Sequence, residues 1–199
     1  MFTITEAAQE KILARMEAEG KADRTLRIRI VGWTADDYQY RLEVIPADAR
    51  DEGDVEVSNG RLPLLLAGDS AEKLKGATLD FVESAQQHGF SIDNPNPVWT
   101  DPLELKIQRI LDQKINPGVG MHGGQVRLLK AEDGVAYISF GGGCVGCGMS
   151  NVTLKQGVDR MIREEVPEIM QIVDTTDHAS GTNPYYQPSE TAEAESPLA

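Results

Sequence analysis

The chain has only two cysteines and three histidines, and no run in it approaches the about 18 consecutive apolar residues that a membrane helix needs. Each scarcity excludes something. Two thiols can form one disulfide, but they cannot build a disulfide framework or complete a four-thiolate metal site from a single copy. The missing apolar run predicts no transmembrane helix and no membrane partner. MFTITEAAQEKILARMEAEG has no secretory h-region and reads as an amphipathic helix within the fold. The expected location is therefore cytoplasmic, where a reducing environment favours thiols over a structural disulfide. Positive charge is short as well. The formal net charge is −13 with no Lys/Arg block, which argues against nucleic acid and suits basic patches on partner proteins. There is no Ser/His/Asp arrangement, no phosphate loop and no clear acid–base carboxylate pair, so an enzyme is not expected.

What is present is an ordinary globular balance, 40% hydrophobic and 26% charged, arranged as two modules and a tail. In the first, TITEAAQEKILARMEAEG places Ile12, Leu13 and Met16 at helical spacing and closes at Gly20. Thr3 and Glu6 have the separation of a capping box. RTLRIRIV alternates Leu26, Ile28 and Ile30 against Arg27 and Arg29, predicting a strand with one wet face. YQYRLEVI alternates again through Tyr40, Leu42 and Val44. Short strands are expected at 54–57 and 61–66, with Pro63 arguing against a central position for the latter. A short helix at 69–75 and strands in ATLDFV and HGFSI complete the module. DNPNPVWTDP, rich in proline, marks the linker.

The second module opens with PLELKIQRILDQKINPG. Pro102 suits a first helical turn, Asp101 a cap, and Leu103, Ile107, Ile110, Leu111 and Ile115 form an apolar stripe. Asn116-Pro117-Gly118 is expected to stop this helix. QVRLLKA and VAYISF flank Asp133-Gly134, a hairpin signal. A second helix carries Leu154, Val158, Met161, Ile162 and Val166, and 169–174 adds an edge strand. The expected fold class is α+β, with the two helices on one sheet face. The boundaries read as residues 1–95, a linker at 96–102, a compact α-β-β-α-β unit at 103–177, and an acidic, mobile tail at 178–199.

Both cysteines lie in FGGGCVGCGMSNVTLKQGVDRMI, as Cys144-Val145-Gly146-Cys147. Gly141, Gly142, Gly143, Gly146 and Gly148 permit a tight turn and are expected to leave backbone N–H groups pointing at sulfur. The helix that follows adds its positive end. Such a loop suits a redox thiol and a metal ligand equally. A thioredoxin-like pair would want a strand of a parallel βαβ unit leading into the helix, and the upstream hairpin supplies none. Zinc and a [4Fe–4S] cluster each want four ligands, and His88, His122 and His178 belong to separate segments. Two copies related by a two-fold axis would supply the missing thiolates. Three readings follow: an iron–sulfur carrier, a CxxC thiol–disulfide oxidoreductase, and a zinc-stabilised interaction protein. The glycine loop favours the first, because bridging sulfides accept several amide hydrogen bonds.

MHGGQVRLL, VAYISFGGGCVGCGMSNVTLKQGVDRMIREEVPEI and the helix before them closely resemble the Nfu domain of iron–sulfur cluster carriers. The resemblance implies a homodimer holding one [4Fe–4S] cluster through Cys144 and Cys147 of each subunit. It also implies receipt from an upstream assembly scaffold and delivery to apo client proteins. His122, Gly123 and Gly124 match the family's HGG and are read as shaping the loop or supporting the ligands. LRIRIV through LDFVESAQQHGFSIDNPNP resembles the A-type carrier domain of iron–sulfur assembly. That family places one Cys in a turn after an early strand and a Cys-x-Cys pair near its end. GWTADDYQY and NPNPVWT have no cysteine there, and neither Asp36 nor Asp37 looks like a replacement ligand. The resemblance therefore implies a degenerate carrier fold that binds no cluster and recognises clients or donors.

Overall fold

The computed structural model describes residues 1–58, 61–84, 88–121, 123–145 and 150–177, with backbone only at 150–153. The chain divides into two compact units, Met1–Val98 and a second beginning at Trp99, and the architecture is α+β.

The first unit starts with β1 (Thr3–Ile4) and α1 (Glu6–Ala18). Thr3 belongs to a strand that runs parallel to β6 (Thr78–Glu83), so it cannot begin the capping box expected of it. Thr5 is the cap instead: its backbone is extended and its Oγ1 accepts from the Ala8 N–H at 3.3 Å. Ala8, Ile12 and Met16 form the buried stripe. Gly20, at φ +66°, ends the helix in a Schellman arrangement, with Gly20 N–H donating to Glu17 O and Lys21 N–H to Met16 O.

β2 (Thr25–Trp33) and β3 (Tyr38–Ile45) form an antiparallel hairpin. β4 (Val55–Val57) and β5 (Leu64–Leu66) complete a sheet of order β3-β2-β5-β4. β5 is thus an interior strand despite Pro63. The proline sits just ahead of it, and its carbonyl still accepts from Leu26 N–H at 3.0 Å. After the short α2 (Gly68–Ala71), β6 pairs with β7 (His88–Asp93) to give a second sheet, β1-β6-β7. Leu26, Ile28, Leu64, Leu66, Leu74 and Leu79 are buried with the α1 stripe, each contributing about 1.5–3 kcal/mol. The face of β2 expected to be wet is partly dry, since Arg27 is buried against Asp54 and Asp51.

In the second unit Asp101 caps α3 (Pro102–Ile110), its Oδ1 accepting from Leu103 N–H at 2.6 Å. The helix does not stop at Asn116-Pro117-Gly118. It widens into a π-helical turn over Leu111–Ile115 and continues as α4 (Asn116–Gly120). Pro117 falls in the first turn of α4. β8 (Gly124–Glu132) and β9 (Val135–Gly142) then form a hairpin. Asp133 and Gly134 both have positive φ, +51° and +75°, as a type I′ turn requires. α5 (Ser150–Glu165) leads to β10 (Gln171–Asp174), which pairs parallel to β9, giving the order β10-β9-β8. Ile107, Leu111, Leu128, Ile138, Val158 and Ile162 close the core on one sheet face, and Trp99 packs against it.

Candidate metal centre

Cys144 lies just past the end of β9, after Gly143. Its loop is bolted to the start of β8 through bare backbone. Gly124 pairs with Gly142 in the strand register, and Gly143 N–H donates to Gly123 O at 2.8 Å. Gly142 adopts φ +61°, and a Cβ there would collide with the Gly123 carbonyl oxygen. Gly123 is itself left-handed at φ +71°, and its N–H returns to Gly120 O at 2.9 Å. The pair Gly123-Gly124 therefore shapes the loop by close approach.

The sulfur of Cys144 lies inward. The residue is 7% exposed and joins the apolar core with Val119 and Phe140. Val119 reaches this place because the helix continues past Pro117. Two expectations change here. The amides of the loop do not all point at sulfur: Gly143 N–H bonds Gly123 O, Cys144 N–H bonds Gly141 O at 3.4 Å, and Val145 N–H bonds Gly142 O at 3.1 Å. Also, β9–α5–β10 is a parallel βαβ unit with the cysteine loop at its strand-to-helix junction. The hairpin upstream gave no hint of it, because a parallel partner comes from downstream of the helix. Topology accordingly does not disfavour a redox pair.

Cys147, His122 and His178 lie outside the described residues, as does the tail. His88 sits in the other unit, 3.3 Å from Glu83 and edge-on to Phe81. Asp36 and Asp37 turn the β2–β3 hairpin, both donating backbone N–H groups to Thr34 Oγ1. Among the described residues, no group of three or more His, Cys, Asp or Glu is placed to hold a metal ion. On β8, burial pulls the Arg127 guanidinium below its ordinary pKa while it donates to Gln125 Oε1 at 2.7 Å.

Sequence reasoning missed a polar ladder on the helix that carries Val119. Glu104 Oε1 accepts from Ala131 N–H, Gln108 Oε1 from Leu128 N–H, and Asn116 Oδ1 from Val126 N–H, at 2.9, 2.9 and 2.8 Å. Asn116 Nδ2 returns to Val126 O at 2.9 Å. Asp112 links the rungs, accepting from Gln108 at 2.8 Å and Asn116 at 3.3 Å. The four-residue spacing was the available signal, but it resembles a solvated helix face.

Residues 1–101 match the family model for iron-sulphur cluster biosynthesis, and residues 107–173 match the NifU-like domain. The Fe/S biogenesis protein NfuA of Proteus mirabilis is 33% identical over 193 residues, spanning 94% of this chain and all of that protein. NfuA of Pectobacterium atrosepticum is 30% identical over 192 residues, with the same coverage of this chain and all of its own length. The chain belongs to the NfuA family. A crystal structure of IscA with a [2Fe–2S] cluster superposes with a TM-score of 0.41 at 25% identity, covering 51% of this chain and 92% of that one. Membership in the NfuA family brings a general role in iron–sulfur cluster biogenesis, and a non-catalytic one. Family, rather than topology, separates a carrier from an oxidoreductase here.

Proposed function

We propose that the chain is a cytoplasmic carrier that holds one [4Fe–4S] cluster between two copies, through Cys144 and Cys147 of each. It receives the cluster from an upstream scaffold and passes it to apo client proteins. The observation that carries this reading is the end-to-end NfuA match, together with a chain whose only thiols are that one pair. Two cysteines from each of two copies satisfy a cubane's four iron sites. No helix among the described residues is long and apolar enough to cross a membrane, in keeping with a cargo exchanged between proteins in water.

Transfer needs no net redox change. Each exchange breaks one iron–thiolate bond to the carrier and forms one to the client, and the client thiol's proton passes to the released carrier thiolate. The first unit, with no cysteine of its own, serves as the adaptor that raises the local concentration of a client.

Anaerobic reconstitution with iron and sulfide, followed by native mass measurement and Mössbauer spectroscopy, tests the reading. One cubane per pair of chains is expected. A metal-free protein that cycles in disulfide exchange would instead make it an oxidoreductase, and stable zinc with no iron uptake would make it a zinc-stabilised interaction protein. Replacing either Cys144 or Cys147 by Ala should abolish stable cluster binding and leave circular dichroism unchanged. A C147A dimer that kept a transferable centre would contradict the ligand assignment.

A further inference from the structure

We propose that Gly124 positions the Cys144 thiol: the sulfur rests in a seat made by Gly124 and Val119, and must leave it to bind. The proposal rests on the carrier reading only for the statement that Cys144 is a ligand.

A sulfur that is part of a core cannot at the same time face a centre shared with a second copy. At 7% exposure Cys144 has to turn about its Cα–Cβ bond, or shift with its loop, before it can ligate. The seat is specific to a residue without a side chain. A Cβ on Gly124 would run into the Cys144 sulfur, and would lie 2.9 Å from Val119 Cγ1 and 3.4 Å from Cys144 Cβ. Gly124 is not among the residues with positive φ, unlike Gly123 and Gly142. Its backbone would accept alanine, so what glycine supplies at 124 is space.

Both walls are held from behind. Val119 rides on α4, whose first residue Asn116 clamps Val126 through two hydrogen bonds. Gly124 is the first residue of β8, two positions from that clamp, and the Gly143–Gly123 bond keeps the cysteine loop over it. The seat therefore withholds the thiol from solvent reagents, and ligation begins with its release. Oxidation of cysteine follows exposure, so an empty carrier with a seated thiol outlasts one without.

The test uses the full chain, cluster-free and reduced, with Cys147→Ser so that Cys144 is the only thiol. Alkylation by iodoacetamide is followed with time. Cys144 in the folded chain should react at least about tenfold more slowly than in the same chain unfolded in urea. Gly124→Ala should close most of that gap. Val119→Ala, which removes a wall without adding bulk, should move the rate in the same direction and serves if Gly124→Ala does not fold. Equal rates in the folded and unfolded chains would overturn the seat, and so would a rate unmoved by either substitution in a folded protein. No iron is present in this experiment. A confirmed seat in a chain that never takes up a cluster would remove the carrier reading alone, and a failed seat in a chain that loads a cubane would remove this inference alone.

Discussion

Asp54 has no exposed side-chain surface and lies 3.0 Å from the Arg27 guanidinium, itself buried. Arg50 donates to the Asp54 carbonyl at 3.0 Å, and Asp54 Oδ2 accepts from Asp51 N–H at 3.0 Å, so the loop ahead of β4 is folded around one charge. Burial alone would lower the Arg27 pKa, but hydrogen bonding to Asp51 and the charges of Asp54 and Asp51 carry it above the ordinary value. Arg27→Ala would leave Asp54 buried and unpaired. It should cost the first unit about 3–5 kcal/mol in urea unfolding. Asp51 is exposed, and the hydrogen bond from Arg27, then its charge, hold the Asp51 pKa below the usual carboxylate range. A depressed folded pKa gives stability that is complete above the unfolded value of about 4 and fades as pH falls through the folded one. Melting temperature should therefore drop less steeply below about pH 4 in Asp51→Asn than in the parent chain. An equally steep acid limb in both would remove the assignment. Alternation along β2 told which residues point inward; it could not tell that an outward arginine would be covered by a loop some 25 residues on.

The helix formed by α3, the π turn and α4 covers an edge strand with side chains in place of a strand partner. Among the described residues β8 pairs only with β9, and its outer N–H groups at Val126, Leu128 and Ala131 go to Asn116, Gln108 and Glu104. This seals an edge that would otherwise invite another chain. Four-residue steps on an α-helix drift by about 40° each, so a straight ladder would wind off the strand. The π turn at Leu111–Ile115 holds more residues per turn and takes back part of that drift between Asp112 and Asn116. Gln108→Leu strips Leu128 N–H of its acceptor inside the core. A loss of about 1–3 kcal/mol is expected for the second unit, with faster hydrogen exchange at the Leu128 amide. Unchanged protection at that amide would count against the ladder. The helix itself was legible from its cap and apolar stripe, and the hairpin from Asp133-Gly134. The continuation past Pro117 was not, because a stop signal read locally is overridden once Asn116 finds a partner on β8.

The molecule as a whole joins a cysteine-free unit to one that holds both thiols. Removing residues 1–95 should leave cluster uptake intact and slow delivery to selected clients by about tenfold or more, the size of a lost effective-concentration term. Identical transfer rates to every client tested would end the adaptor role. The order of residues determined much by itself: the single Cys-x-x-Cys pair behind its glycines, the NfuA kinship, the strands that alternate and the helices that carry stripes. These are local or countable properties, set by periodicity of 2 or 3.6 and by composition. Only the tertiary structure decided that β10 lies parallel to β9, that Arg27 is dry, that Gly123 and Gly124 at the start of β8 press on the cysteine loop, and that the Cys144 sulfur faces the core. Each depends on which distant segment arrives to exclude water, and burial is a relation between segments that no one of them encodes alone.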